Sequence, residues 1–261
     1  MSARTIDRPD PSTTDTPTHR ESTHPRVTML SRTAIELRKL VDTRAAAVLI
    51  AAMVGIGLVA TGAMLALDLA TDLDTLTRTA AAGFTYLLPV LGVLALTAEW
   101  RTGTALWTYT LDPHRTRVLT AKMIAVGIAV VVAVAISLVM GAVATFLVDG
   151  TLTGGSNPID VIIGAGVFIG GMTLLGVALG AAFLNTPLAI VVLLLAPQLV
   201  PQLLSISERT ADLVPYVDLQ GHLMTLSAGE AVEWPHLLVT LAVWIVLPLT
   251  VGVIRNARRD I

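Results

Sequence analysis

The sequence predicts an all-α integral membrane protein with six transmembrane helices and an amphipathic interfacial helix before the first. Of its 261 residues, 54% are hydrophobic and only 14% are charged, whereas soluble domains carry roughly 25% charge. Six apolar stretches approach the roughly 20 residues that a helix needs to cross a bilayer. They are residues 45–67, 80–98, 123–147, 161–184, 188–204 and 237–254. The chain has no cysteine, which excludes disulfides and thiol chemistry.

The N-terminal region divides into two parts. Residues 1–28 are rich in Ser, Thr, Pro and charge, lack the apolar run of a signal peptide, and are predicted to be a disordered cytoplasmic tail. Residues 29–44 carry an apolar stripe of helical spacing, while Glu36, Arg38 and Lys39 are among the charged residues of the segment. This pattern predicts an amphipathic helix in the membrane interface, and a plain extension of the first span is the alternative.

Basic residues are distributed unequally between the two sides of the predicted membrane. Within reach of the spans, one side has four in the N-terminal flank, four between the second and third spans, and three after the last. These are Arg32, Arg38, Lys39, Arg44, Arg101, Arg115, Arg117, Lys122, Arg255, Arg258 and Arg259. The other side has only Arg78 and Arg209. Because positive charge is retained in the cytoplasm, both termini are predicted to be cytoplasmic, including residues 256–261, in a multi-pass protein of the cell membrane.

The cytoplasmic connection between the second and third spans is unusually rich in helix-forming and aromatic residues. Residues 99–122 read EWRTGTALWTYTLDPHRTRVLTAK. Residues 104–111 can form a short helix against the membrane surface or a partner. Asp112 followed by Pro113 is a typical N-cap and first helical position, which predicts that the next helix begins inside the cytoplasm. The connection is therefore predicted to be a docking platform.

This connection resembles the cytoplasmic loop of type-2 permeases of the ATP-binding-cassette (ABC) transporter superfamily. The similarity lies in a glutamate, a Gly-Thr pair, a Pro-x-Arg turn and a lysine before the third span. These are Glu99, Gly103, Thr104, Pro113, Arg115 and Lys122, with Arg101 and Arg117 in the same stretch. His114 stands where the family usually has a small residue. The six spans and the preceding basic helix extend the resemblance to about residues 30–255.

The resemblance implies a permease subunit whose loop carries a coupling helix, docked on a separate cytoplasmic ATPase. ATP and Mg²⁺ would then bind that ATPase, and this chain would hold no cofactor of its own. Two permease subunits, identical or related, would work together as an exporter of a hydrophobic or amphipathic substrate. Glu99 would pair with Arg38 or Arg101 and transmit motion. The simpler readings are that Glu99 is a solvated boundary residue and that Arg115, Arg117 and Lys122 only set topology.

Polar or small residues within spans suggest two further roles. Pro197, Gln198, Pro201 and Gln202 form a repeated four-residue step in the fifth span, and could line a pathway or pack between helices. The pairs Gly166/Gly170 and Gly176/Gly180 in the fourth span predict close helix packing within the subunit, and a dimer interface is the alternative. Residues 205–235 are predicted to be external, either as a loop or as short re-entrant helices. No metal site and no nucleic-acid partner are predicted.

Other function classes fit the sequence less well. A secondary transporter usually carries ionisable residues within its spans, and these spans have none near their midpoints. An intramembrane enzyme would need a motif such as H-E-x-x-H or a pair of activating groups. The chain also lacks a G-x-x-x-x-G-K-[ST] phosphate loop, so it is not expected to hydrolyse ATP itself. A non-transporting membrane anchor or accessory subunit would need the same docking loop and remains the main alternative.

Overall fold

The computed structural model describes residues 29–102, 115–150 and 157–258. These residues form helices and turns, with no strand among them. In chain order the helices are α1 (Met29–Val41), α2 (Arg44–Ala66), α3 (Leu73–Ala80), α4 (Ala82–Thr102), α5 (Arg115–Asp149), α6 (Pro158–Phe183), α7 (Thr186–Ser205), α8 (Glu208–Ala211), α9 (Leu219–Ser227), α10 (Trp234–Leu241) and α11 (Leu247–Arg258). A 3₁₀ turn (Val214–Tyr216) precedes α9, and a π-helical turn (Ala242–Val246) joins α10 to α11.

Six helical segments are long and apolar enough to cross a membrane, as predicted. They are Arg44–Ala66, Leu73–Thr97, Thr120–Val148, Pro158–Phe183, Thr186–Ser205 and Trp234–Arg255. Asparagine side chains define the starts of two of them: Asn157 caps α6 and Asn185 caps α7, and a proline lies in the first helical turn of each. The described residues thus contain six candidate spans, as in a multi-pass membrane protein.

The predicted helix over 29–44 ends earlier than expected. It stops at Val41, because the side chain of Thr43 accepts a hydrogen bond from the backbone N–H of Ala46 and so caps α2. In the apolar stripe of α1, Leu30 is 83% exposed and Val41 is also exposed, whereas Leu37 is partly buried. The buried residues of α1 are instead Thr33 and Glu36.

The second span starts seven residues before its predicted start at residue 80. It begins as α3, which Asp72 caps by accepting a hydrogen bond from the backbone N–H of Thr75. The charged residues Asp74 and Arg78 made this stretch look too polar to belong to the span. In the structure they form an ion pair with each other at 2.8 Å. Because their charges are paired, these residues can extend the span.

Helix α6 lies at the centre of the bundle and packs closely against α4. A methyl group at Gly176 would overlap the Pro89 carbonyl, and one at Gly180 would lie 3.0 Å from the Val93 Cα. The predicted packing role therefore holds for Gly176 and Gly180. It is wrong for Gly166, which has open space beside it. Small residues matter here because they let two helix backbones touch.

The segment between the fifth and sixth spans folds into short helices that turn back along α6. The side chain of Leu223, in α9, packs over Gly171, and the Ser227 carbonyl lies against Gly164. Gly171 is thirteen residues into α6, which at 1.5 Å per residue is about 20 Å from its start. The indole N–H of Trp244 also donates to the Val217 carbonyl at 2.7 Å. Helix α9 is therefore part of the bundle rather than a surface loop.

Candidate functional site: the charged junction of α1, α4 and α5

The predicted docking loop lies between the ends of two long helices. Helix α4 continues to Thr102 and α5 begins at Arg115, both beyond the apolar part of their spans. Gly103, Thr104 and Pro113, with the predicted coupling helix over 104–111, fall outside the described residues. For Glu99, Arg101, Arg115 and Arg117 the structure gives helical backbone only, so the predicted pairing of Glu99 with Arg38 or Arg101 remains a prediction.

Lys122 lies inside the bundle rather than on a docking surface. It is only 5% exposed, and its ammonium group donates a hydrogen bond of 2.8 Å to the Ala95 carbonyl of α4. The same Nζ lies 3.5 Å from Oε2 of Glu36 in α1. A single side chain of α5 thus contacts both neighbouring helices. This position was not foreseen, since the sequence analysis grouped Lys122 with the docking loop.

Glu36 lies between the two lysines of the chain. Its Oε1 accepts a hydrogen bond of 2.7 Å from Lys39, which is one helical turn further along α1. Its Oε2 faces Lys122. Arg38, by contrast, points away and pairs with Asp42 at 3.4 Å, and the side chains of that pair are 82% and 68% exposed. Of the three predicted interfacial residues, Glu36 and Lys39 therefore belong to the junction, and Arg38 belongs to the exposed face.

The arrangement is suited to mechanical coupling. Removing a charged group from water is costly unless another charge and hydrogen bonds compensate for it. Here a carboxylate and two ammonium groups supply that compensation, so α1 is held against α4 and α5. Ala95 is seven residues before the end of α4, and Lys122 is seven residues after the start of α5. Movement at residues 103–114 would therefore reach α1 through two short lengths of helix.

A second polar cluster joins the opposite end of the second span to α9. Arg78 contacts Asp74 through Nε, donates to the Ser227 hydroxyl at 2.7 Å through Nη1, and donates to the Ser227 carbonyl at 2.6 Å through Nη2. Sequence reasoning treated Arg78 only as a rare external charge. Asp74 and Arg78 are four residues apart, a spacing that favours an ion pair on one face of a helix, so the pairing could have been predicted from the sequence.

The four candidate pathway residues do not share one environment. Pro197 is buried, Gln198 and Pro201 are partly buried, and Gln202 is exposed beside the exposed Leu199 and Leu203. None of the four residues lies at the charged junction. They are in the second half of α7, whereas the junction is near the first residue of α7, Thr186, which forms a hydrogen bond of 2.7 Å with Thr97 of α4. Their role in a pathway remains a prediction.

Comparison with known proteins gives no family. No protein-family model matches this chain, and no curated protein matches it. Any functional conclusion therefore depends on the loop motif and on the geometry described above.

Proposed function

We propose that this chain is the transmembrane permease subunit of an ABC transporter, and that it works as an exporter. The observation that carries the proposal is the length of α5. Its 35 residues extend about 52 Å, whereas the hydrocarbon core is about 30 Å thick. Because its apolar span begins only at Thr120, the residues before it would project from the membrane on the side where α4 ends. The segment with the Gly-Thr and Pro-x-Arg motifs connects these two projecting ends, where a cytoplasmic partner could reach it.

In this proposal, residues 99–117 bind a separate P-loop ATPase, which holds ATP and Mg²⁺. Two permease subunits, either two copies or this chain and a relative, would complete the transporter. Closure of the two ATPases would push on the ends of α4 and α5. Lys122 and Glu36 would then pass that displacement to α1. The proposed substrate is hydrophobic or amphipathic, because the spans bring few charges into the membrane. Both termini would face the cytoplasm of the cell.

The proposal is tested by purifying the protein from its native membrane in mild detergent and identifying any ATPase that copurifies. We expect a P-loop ATPase with the wild type, and its loss from the double variant Glu99→Ala, Arg115→Ala. The matched control is Arg209→Ala, which removes an exposed arginine from the opposite end of the molecule and should retain the ATPase.

Two results would contradict the proposal. One is the absence of an ATPase across several detergents, and the other is equal loss in the Arg209→Ala control. A bound ATPase that hydrolyses ATP but moves no substrate in reconstituted vesicles would instead favour the accessory-subunit alternative.

A further inference from the structure

A cleft with two chemically different parts lies between the second span, α6 and α9, at the end of the molecule away from the charged junction. Its inner part, of about 210 Å³, is mostly apolar, and its walls include Tyr86 of α4 and Phe168 of α6. Its outer part, of about 510 Å³, is mostly polar and reaches Asp160 at the start of α6. Gly164 and Arg78 line both parts. The two parts therefore adjoin one another.

Helix α6 connects the two parts along one of its faces. Asp160, Gly164 and Phe168 follow at intervals of four residues, which places them on the same side of a helix. At 1.5 Å per residue, the first and the last are about 12 Å apart along the axis. The Ser227 carbonyl of α9 lies against Gly164, so α9 forms a neighbouring wall. A ligand of about this length could contact a carboxylate at one end and an aromatic ring at the other.

The two parts of the cleft open to different surroundings. Tyr86 and Met224 line the inner part and are exposed, at 50% and 67%. Phe168, in the same part, is ten residues into α6 and so about 15 Å from the start of the fourth span, which is a depth at which the surroundings are lipid. Asn157 and Asp160 are exposed in the outer part, where this span begins, so that part is open to water. Access from both sides suits an amphipathic molecule.

The outer part of the cleft contains a carboxylate whose charge is not offset by an ion pair. The charge of Arg78 is balanced by Asp74, and its two other nitrogens donate to Ser227. Asp160, by contrast, forms no ion pair with any residue that the structure describes. Residues 151–156 (TLTGGS), which lead into α6, carry no charge and cannot supply one. The N-terminal end of α6 offsets only about half a charge. The outer part therefore attracts a cation.

We propose that this cleft binds an amphipathic organic cation, with its positive group beside Asp160 and its apolar body between Tyr86 and Phe168. An aromatic body fits this position best, because aromatic rings pack favourably against one another. A neutral apolar molecule would use the inner part alone, and an anion would be repelled by Asp160. The inference does not rest on the proposed permease function. A purified chain that docks no ATPase would still bind the cation.

The site is tested with three probes of the same shape and different charge. They are a naphthylbutyl trimethylammonium ion, its uncharged tert-butyl isostere and naphthylbutyl sulfonate. Binding of the tritiated cation to the immobilised full chain is measured by scintillation proximity in an uncharged detergent, and the other two probes compete with it. We expect saturable binding of the cation, displacement by the isostere, and no displacement by the sulfonate at the same concentrations.

Two carboxylate variants test the contribution of charge. Asp160→Asn should lower the affinity for the cation about fivefold, the upper end for an exposed ion pair, and should leave the affinity for the isostere unchanged. The matched control, Asp212→Asn, removes an exposed carboxylate on the same predicted side of the membrane. Because Asp212 lines neither part of the cleft, both affinities should be unchanged.

A second pair of variants tests the inner part of the cleft. Ala82 lines it, so Ala82→Phe should fill it and reduce binding of both the cation and the isostere. Ala135→Phe, on an exposed face of α5, should have no effect.

Three results would overturn the proposal. The first is displacement of the cation by the sulfonate as readily as by the isostere. The second is an equal effect of Asp160→Asn and Asp212→Asn on the affinity for the cation. The third is displacement by phosphatidylethanolamine at the concentration at which the isostere displaces, because the site would then be one for a lipid headgroup.

Discussion

At the scale of single residues, the chain places its two lysines around one carboxylate. Lys39 and Lys122 come from different helices, and Glu36 contacts both. Glu36 and Lys122 are buried, and their charges compensate each other, as an isolated buried charge is strongly unfavourable. The cluster therefore serves mainly to fix the positions of the helices relative to one another, since a buried ion pair adds little stability compared with a well-packed apolar replacement.

Neutralising Glu36 should therefore destabilise the protein. Glu36→Gln removes the carboxylate from the buried Lys122 ammonium, and we expect unfolding free energy to fall by about 3 kcal/mol, the lower end for a broken buried pair. We expect the smaller loss of stability because Lys122 keeps its hydrogen bond to the Ala95 carbonyl. The measurement is denaturant unfolding in detergent, followed by tryptophan fluorescence.

A double variant and a surface control make this result specific. Adding Lys122→Met to Glu36→Gln removes the second charge as well and should recover much of the loss. Asp42→Asn removes the carboxylate of the exposed Arg38–Asp42 pair, and should change stability by less than about 1 kcal/mol. If Asp42→Asn were as destabilising as Glu36→Gln, burial of the junction would not be the cause.

At the scale of helices, the contact between α4 and α6 depends on glycine residues, which have no side chain to separate the two backbones. Gly176→Ala places a methyl group on the Pro89 carbonyl, which is backbone and cannot move aside without displacing α4. We expect a loss of about 1–3 kcal/mol, the usual cost of overpacking. Thermal unfolding in detergent measures it.

The same helix provides the control. Gly166→Ala has open space around the new methyl group, and a helical alanine is favoured over glycine by up to about 1 kcal/mol. This variant should be as stable as the wild type or more stable. Equal destabilisation by both substitutions would mean that the α4 contact is not the reason why a methyl group is unfavourable at Gly176.

Helix existence was predictable from sequence, whereas the partners of polar residues were not. Each of the six spans lies in an apolar stretch, because length and hydropathy alone decide whether a helix can cross a membrane. The start of the second span was missed because Asp74 and Arg78 look unfavourable until they are seen paired. Lys122 was placed on the docking surface because Glu36 is 86 residues away in sequence. Contacts of such separation leave no local pattern to read.

At the scale of the whole molecule, charge asymmetry makes a direct prediction about orientation. Residue 42 lies between α1 and the first span, and residue 230 lies before the last span, on the opposite side of the predicted membrane. Both positions are exposed. Because the chain has no cysteine, single cysteines can be introduced there without background labelling.

We expect a membrane-impermeant maleimide to label Glu230→Cys in intact cells and Asp42→Cys only after permeabilisation. This follows from the excess of Lys and Arg on the side of the termini. Labelling of Asp42→Cys in intact cells would reverse the orientation and remove the cytoplasmic docking loop with it. The unmodified chain, which cannot react, is the control.

The central place of α6 also has a consequence for how the protein is made. The second span is the most enclosed of the six, with 67% of its most apolar stretch buried, and α6 is the helix against which it packs most extensively. About 80 residues separate the end of α4 from the end of α6, which the ribosome adds in roughly 4–16 s. During that interval the newly inserted second span lacks its main neighbour. Until the fourth span arrives, the face of the second span that α6 later covers is therefore open to lipid.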